Sequence, residues 1–438
     1  MAAILIVIIV VLVVCLFIGT PVSSALGFTA CVTMVAFMGT DHLIRFGVVG
    51  FQQGTSVNQM VAPLFIIMAE FLARGGIAED IFEVLNRVLR KVKGGLALST
   101  TLACTVFAAL CGSSPATAAA VGKISIHAMI RRNYAPSFAV GTVAAGGTLG
   151  IMIPPSITFV FYGIITETSI AKLLMAGLLP GIMLAVLLCI SIMIRVRLNP
   201  KLLEHAETEA KKIDGEKSEK KQTAKAAAVA IPAMIIILLV LGTMYSGVAT
   251  PTEAAGYGAI GAFLVVLFQR RITKKIFGEV LQASARTTCM ILFLVIMGLT
   301  LSYAISYLGL AQNIATTIAG SGTSPWMVMI MLFVLWFVMG CMMDPGSMVI
   351  LTIPFIFPTL VKLGFDPIWI GVVSTLCVEI GMITPPVGLN LFVLKSVVPT
   401  VSMSNIMRGT LSYVGVLLVG LVILCIFPNI ALFLPGRM

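Results

Sequence analysis

Charge is what this chain has least of: only 10% of its 438 residues are Asp, Glu, Lys or Arg, where about 25% is usual in a soluble protein. With 59% of the residues apolar, a water-soluble globular fold is excluded. Histidine is almost missing, and its three copies, His42, His127 and His205, stand far apart. There is no HExxH, GxSxG or Walker A string, which argues against an integral-membrane enzyme and against ATP hydrolysis by this chain. The nine cysteines, from Cys15 to Cys425, lie in apolar segments without a CxxC pair. Buried free thiols are therefore expected, rather than disulfides or a zinc site. The opening MAAILIVIIV lacks the basic stretch of a secretory signal, so a retained helix is expected there.

What the chain has is long apolar runs. Ile4 to Ile18 and Ile231 to Leu241 are nearly unbroken, which suits helices and not the alternating strands of an outer-membrane barrel. The fold class expected is an all-α polytopic membrane protein. Helices are expected at 3–20, 23–40, 58–73, 96–111, 115–130, 137–168 with a break, 173–194, 227–246, 252–269, 287–308, 326–341, 346–361, 367–397 with a break, and 410–428. The net charge of +11 comes from short basic clusters between these runs, and membrane orientation explains them better than nucleic acid does. Between 195 and 225 the composition inverts, with nine Lys or Arg and six Asp or Glu. That stretch reads as a water-exposed cytoplasmic linker dividing the chain in two.

The two parts match at an offset of 230 to 233 residues: Pro21 with Pro251, Ala78 with Ala311, Cys111 with Cys341, Pro115 with Pro345, Pro136 with Pro367, and Pro154 with Pro385. Placing the linker and the clusters Arg87–Lys93, Arg131–Arg132 and Arg270–Lys275 in the cytoplasm leaves Arg45, Lys172, Lys362 and Arg437 clearly outside, the positive-inside bias. Segment 96–130 then begins and ends on one side. Its two 16-residue arms reach ~24 Å at ~1.5 Å per residue, short of the ~30 Å hydrocarbon core, so a re-entrant hairpin is expected. The counterpart, 326–361, has a single Lys in its flanks and should enter from the opposite face. Two inverted-topology repeats follow, each with a re-entrant hairpin and a Pro-broken helix, as in many secondary transporters.

The hairpin tips read CGSSPAT (111–117) and CMMDPGS (341–347), and the broken helices carry GGTLGIMIPPS (146–156) and EIGMITPPVGLN (379–390). A Pro pair inside an apolar helix removes amide donors and frees carbonyls, and such backbone persists at membrane depth only when buried in protein or lining a cavity. A lone Pro pair reads as a kink. Two at matched positions, each downstream of a Pro-containing tip, favour a binding site. Oxygens from each tip and its break can surround a hard monovalent cation, while half-helix N-termini present amides to an anion. Lys123 either neutralises that anion or snorkels to the cytoplasmic surface. Glu70, Glu253 and Glu379 lie in apolar surroundings and could relay protons; Glu253, after TPT, could equally cap a helix. Residues 77–93 carry an apolar stripe with charges opposite, an arm lying in the interface plane, and 310–320 occupies the matching place.

The strings TPTEAA (250–255), DPGSMVILTIPFIFP (344–358), GMITPPVGLNLFV (381–393) and GSSPATAAAVG (112–122) resemble, over nearly the whole chain, the large membrane subunit of tripartite ATP-independent periplasmic (TRAP) transporters, the DctM-like family. The resemblance implies an elevator transporter in the inner membrane. It would take up an organic anion with about two sodium ions and no organic cofactor. A periplasmic substrate-binding protein would load it, and a small four-helix membrane subunit, expected as a separate polypeptide, would work beside it. Lipids would surround it; nucleic acid would play no part. It further implies one sodium at Ser113 and Ser114 with carbonyls around Gly150, Ile153 and Pro155. A second would use Asp344, Gly346 and Ser347 with Gly381, Thr384 and Val387. The anion would sit near Ser114, Pro115, Thr117, Ser156, Ser347 and Asn390, with Lys123 as its possible counter-charge.

The expected division is scaffold at 1–75, an arm at 76–93, a transport unit at 94–172, a scaffold helix at 173–194, the linker at 195–225, scaffold at 226–272, an arm and a membrane helix at 273–308, a second transport unit at 309–398 and a C-terminal helix at 399–438. Proton coupling is the alternative mechanism; a membrane enzyme and a passive channel are the alternative classes.

Overall fold

The computed structural model describes residues 2–203, 219–320 and 322–438. The middle of the charged linker, 204–218, which includes His205, lies outside the described residues. Among the described residues the chain is helical and forms no strand. Among the described residues eight helices are long and apolar enough to cross a membrane: Val57–Arg74, Pro136–Thr166, Ile170–Leu198, Pro251–Phe268, Lys274–Tyr307, Pro325–Met342, Pro345–Lys362 and Met403–Ile426. Helices open on Pro136, Pro251, Pro325, Pro345 and Pro367. Proline suits that position because the first-turn amide has no helical partner and the ring fixes φ at a helical value.

Two groups of helices emerge from the packing. In one, Ala2–Phe17, Val22–Phe37, Ile44–Thr55, Val61–Arg74, Glu219–Tyr245, Pro251–Phe268 and Lys274–Tyr307 lie against one another. In the other, a first hairpin (Gly95–Cys111 and Ser114–Arg131) packs on a broken helix (Pro136–Met152 and Ile157–Thr166). A second hairpin (Pro325–Met342 and Pro345–Lys362) packs on a second broken helix (Pro367–Met382 and Leu389–Val397). Two short helices join the groups: Ile77–Leu89 touches Gly95–Cys111 and Glu219–Tyr245, and Leu310–Gly320 touches Pro345–Lys362 and Lys274–Tyr307. The first is tied down by Arg271, whose guanidinium donates to both Asp80 carboxylate oxygens at 2.6 and 3.0 Å and to the Gly75 carbonyl at 2.7 Å.

Several expectations are corrected. Ile170–Leu198, expected in the scaffold, packs instead on both broken helices, on Gly95–Cys111 and on Met403–Ile426. Glycines make that contact possible: a Cβ on Gly177 would lie 2.3 Å from the Met152 carbonyl oxygen. Lys274–Tyr307 is one helix of 34 residues, not an arm followed by a helix at 287–308. No proline interrupts it, and the Thr273 side chain accepts from Ile276 N at 3.1 Å to start it. A further helix, Ile44–Thr55, was not expected, because its polar Gln and Gly residues break the apolar run. The linker ends are helical: 195–198 extends one helix, and 219–225 opens Glu219–Tyr245. The second hairpin's arms have 18 residues each, long enough to cross by length alone, so arm length does not decide whether that hairpin re-enters. Of the cysteines, Cys104, Cys111, Cys341 and Cys377 are buried, four are half-buried and Cys289 is exposed, so burial is not general.

The C-terminal helix Met403–Ile426 belongs to the second group, crossing Pro136–Met152 at a pair of glycines. A Cβ on Gly409 would lie 2.0 Å from the Ser137 carbonyl oxygen, and one on Gly141 would lie 2.4 Å from the Gly409 carbonyl oxygen. Beside this crossing Thr142 Oγ1 and Tyr413 OH are 2.8 Å apart. Gly409→Ala should destabilise the protein by about 1–3 kcal/mol through overpacking against backbone. Thermal unfolding of the detergent-purified protein reads this as a lowered melting temperature; an unchanged one would contradict the crossing.

Candidate binding site at the helix breaks

The two hairpin tips and the two helix breaks close into a ring through four joints. At the first tip, Gly112 adopts φ +65 and sits so close to the first break that a Cβ there would lie 2.4 Å from the Pro155 carbonyl oxygen. Gly150, just before that break, would place a Cβ 2.6 Å from the Ser113 carbonyl oxygen and 2.7 Å from Thr117 Oγ1. The second tip meets its own break in the same manner: Gly388 N, at φ +58, donates to the Cys341 carbonyl at 2.8 Å. Gly381, the counterpart of Gly150, would place a Cβ 2.5 Å from the Phe337 carbonyl oxygen. Both Pro–Pro peptides, Pro154–Pro155 and Pro385–Pro386, are cis.

The other two joints exchange partners between the halves. Asn390 Nδ2, at the start of Leu389–Val397, donates to Ser114 Oγ at the first tip, 2.7 Å away, with both residues fully buried. Gly346, at the second tip, presses on Phe161 of Ile157–Thr166, where a Cβ would lie 2.8 Å from the ring. Each hairpin's second arm thus packs on the second half of the other half-chain's broken helix. Four helix N-termini, those of Ser114–Arg131, Ile157–Thr166, Pro345–Lys362 and Leu389–Val397, are thereby linked around one polar centre. N-termini carry partial positive charge and unpaired amides, so together they suit an anion, while tip carbonyls and hydroxyls suit a small hard cation.

Side chains complete the caps. Asp344 Oδ2 accepts from Ser347 N at 2.9 Å, and its other oxygen accepts from Ser347 Oγ, so the acid both caps the second tip's helix and keeps an exposed face. Ser156 accepts from Phe159 N at 3.4 Å, and Thr384 Oγ1 donates to the Ile380 carbonyl at 2.6 Å. Of the residues singled out from sequence, Ser114, Thr117, Gly150, Ile153, Pro155, Ser156, Gly346, Ser347, Gly381, Thr384 and Asn390 are buried at or beside the ring. Ser113 and Pro115 are half-buried, and Val387 with Asp344 stands exposed on the second-tip side. Lys123 does not join: it is exposed on Ser114–Arg131, nine residues on from Ser114. Its carbonyl, not its amine, meets His127 Nδ1 at 2.7 Å.

The other carboxylates separate clearly. Glu253 and Thr250 form a reciprocal capping box, with Glu253 Oε2 accepting from Thr250 N at 2.8 Å. Glu70 pairs with Arg74 at 2.8 Å, and Arg74 also reaches Glu279 at 2.8 Å. Glu379 alone is fully buried, beside Ser114 at the ring. The glycines at 112 and 388 were missed by sequence reasoning, although a Gly that ends an apolar helical run, as at 112, or follows a Pro pair, as at 388, signals a positive φ. A separate cavity of ≈ 440 Å³, lined among others by Gln53, Asn58, Gln59, Glu167 and Thr168, lies between the two helix groups, away from the ring.

A polytopic helical protein whose broken helices and hairpin tips enclose a buried polar centre has the architecture of a membrane transport permease. Residues 9–430 match the family described as the tripartite ATP-independent periplasmic transporter, DctM component. The C4-dicarboxylate TRAP transporter large permease protein DctM of Pseudomonas aeruginosa is 34% identical over 415 residues, 94% of each chain. The isethionate TRAP transporter permease protein DctMQ of Oleidesulfovibrio alaskensis is 31% identical over 96% of this chain and 65% of its own length. In fold, the chain is similar to the YdaH transporter of Alcanivorax borkumensis, with TM-score 0.57 at 14% identity, over 92% of this chain and 88% of that one. The chain belongs to the DctM family of TRAP transporter large permeases. It is a multi-pass inner-membrane transport protein and not an enzyme, and its family works with a small membrane subunit and a periplasmic binding protein.

The Asn390–Ser114 bond makes a specific prediction. Ser114→Ala strands a buried amide, which costs about 1–3 kcal/mol. A double-mutant cycle of Ser114→Ala and Asn390→Ala, read by thermal unfolding, should show a coupling of about 0.5–3 kcal/mol. Additive effects would mean that the two tips are not joined through this contact.

Proposed function

We propose that this chain carries a small organic anion bearing a carboxylate or sulfonate across the inner membrane together with sodium ions, by an elevator movement. A periplasmic binding protein delivers the anion, and a separate small membrane subunit works beside the chain. The observation that carries this reading is the crossed ring, in which each tip is joined to its own break by backbone and to the other half's helix by a second contact. The two half-chains form inverted-topology repeats, so equivalent tips approach the centre from opposite faces of the membrane. The anion lies among the four helix N-termini with Ser114, Pro115, Thr117, Ser156, Ser347 and Asn390 around it. One sodium sits by Ser113, Ser114, Gly150, Ile153 and Pro155, and a second by Asp344, Gly346, Ser347, Gly381, Thr384 and Val387. Each pairs an irregular backbone stretch with a hairpin tip, which supplies hard oxygen donors of the kind alkali cations take.

Movement is consistent with the packing. The hairpins, broken helices, Ile170–Leu198 and Met403–Ile426 form one group held by glycine-level contacts, while Ile77–Leu89 and Leu310–Gly320 link it to the other. The first group would slide as a unit past the second. Sodium is preferred to protons as the coupling ion because two of the three candidate proton carriers have structural work: Glu70 is paired with Arg74, and Glu253 is held in its capping box.

Uptake into proteoliposomes, with the small subunit and the binding protein present, tests the proposal. An inward sodium gradient should drive accumulation, and a proton gradient alone should not. Asp344→Ala and Thr384→Ala should each weaken sodium activation by about tenfold or more while leaving assembly intact, the effect of losing about 1.4 kcal/mol of cation binding. Uptake undiminished without sodium, or unchanged activation in both variants, would refute the coupling.

A further inference from the structure

The cavity between the two helix groups has a chemistry unlike that of the ring. One wall carries Gln53, Ser56, Asn58 and Gln59 of the first group. The other is the C-terminal end of Ile157–Thr166 with the turn that follows it. Because this helix starts at the ring and has ten residues, its far end lies ~15 Å away at ~1.5 Å per residue. Backbone does not close that end. Glu167 takes φ +55, and the carbonyls of Ile164 and Ile165 accept from no backbone amide of the turn. Side chains hold the turn instead: Thr166 Oγ1 donates to the Tyr162 carbonyl at 2.7 Å and lies 2.8 Å from Thr168 Oγ1. The opposite wall is firm, since Gln59 is buried and donates to Gln53 Oε1 at 2.5 Å. Glu167 is the one charged side chain among the described lining residues, and it forms no ion pair there. Lys172 starts its own helix beyond Ser169 and is not part of the lining. A helix C-terminus is the negative end of its dipole, so this wall offers acceptors and negative charge, whereas the ring gathers N-termini.

We propose that this cavity binds a small amine in its ammonium form, held by Glu167 and the open end of Ile157–Thr166 against Asn58 and Gln59, and that its occupant ties the two helix groups together. An ammonium brings N–H donors to unpaired acceptors and a positive charge to the Glu167 carboxylate. The same charges disfavour an anion, so the cavity is not a second place for the cargo of the ring. Its size fits an organic occupant: ≈ 440 Å³ falls within the ~300–1,000 Å³ of small-molecule sites, where a single water takes ~30 Å³. The first broken helix begins after Arg131 and Arg132 and ends here, while Pro251–Phe268 begins here and ends before Arg270 and Arg271. The cavity therefore lies on the face opposite the basic clusters, the periplasmic one by the positive-inside bias. An occupant bridging both walls would hold the groups in this arrangement. Only its effect on transport rests on the sliding movement proposed above; the binding does not.

Equilibrium dialysis of radiolabelled ethanolamine against the detergent-purified full chain tests the binding, and hydrogen exchange tests the bridge. Ethylene glycol, which lacks the charge, and glycolate, which reverses it, should displace ethanolamine only at concentrations about tenfold higher than ethanolamine itself needs, the scale of one charged hydrogen bond. Glu167→Gln should weaken ethanolamine by about the same tenfold factor. Asn58→Asp, which sets a second carboxylate on the opposite wall, should tighten it, a gain that poor folding cannot imitate. Glu70→Gln, which removes a carboxylate paired elsewhere, should bind as wild type does. Ethanolamine should slow amide exchange in both 53–61 and 163–171 of the wild type and in neither segment of Glu167→Gln. Equal affinity in wild type and Glu167→Gln, or displacement by glycolate as readily as by ethanolamine, would overturn the site. Protection of one segment without the other would overturn the bridge.

Discussion

Backbone that leaves the helix inside a membrane must find partners in protein, because lipid offers none. The chain breaks two of its most buried helices with Pro–Pro pairs, and everything around them answers that demand. The first tip approaches until Gly112 touches the Pro155 carbonyl, and the second accepts no less directly, its Cys341 carbonyl taking a hydrogen bond from Gly388 N of the break. Without glycine at these positions the approach would be blocked by a side chain, since both residues have positive φ and stand against backbone.

The same demand explains why the half-chains cross. A tip packed only on its own break would leave its outer face to lipid or to a loose contact. Instead the Ser114 end of one hairpin meets Asn390 of the other half, and the Gly346 end meets Phe161. Further ties hold the group together: Tyr162 OH donates to the Pro367 carbonyl at 2.6 Å, and Trp369 Nε1 donates to the Leu424 carbonyl at 3.0 Å. In low-dielectric surroundings such neutral bonds are stronger than in water, and a broken one is correspondingly expensive. Joined in this way, the hairpins, the broken helices, Ile170–Leu198 and Met403–Ile426 form one packed body.

Packing by small residues recurs wherever helices must come close. Gly141 meets Gly409, Gly177 meets Met152, and Gly340 would place a Cβ 2.6 Å from the Val378 carbonyl oxygen. Association inside a bilayer gains little from the hydrophobic effect, so close backbone approach and its dispersion contacts take its place. The exposed side chains of the opposite group, such as Phe17, Phe51 and Phe268, are large and apolar, as a surface facing lipid or another membrane subunit demands.

Local composition by itself determined most of the helices, the tips and the breaks. Those features follow from signals a few residues long: apolar runs, prolines at N-termini, Pro pairs, and Ser or Asp before Pro. The expected hairpin arms fall within two residues of Gly95–Cys111, Ser114–Arg131, Pro325–Met342 and Pro345–Lys362. The capping role of Glu253 was legible for the same reason, since Thr250 and Glu253 lie three residues apart. Tertiary structure alone decided which helix belongs to which group, placing Ile170–Leu198 and Met403–Ile426 with the broken helices. It alone brought Ser114 to Asn390, 276 residues away, and buried Glu379 fully beside Ser114 while Glu70, equally apolar in its sequence context, paired with Arg74. The physical reason is that burial and pairing are properties of what arrives from elsewhere in the chain, and no local pattern records the arrival.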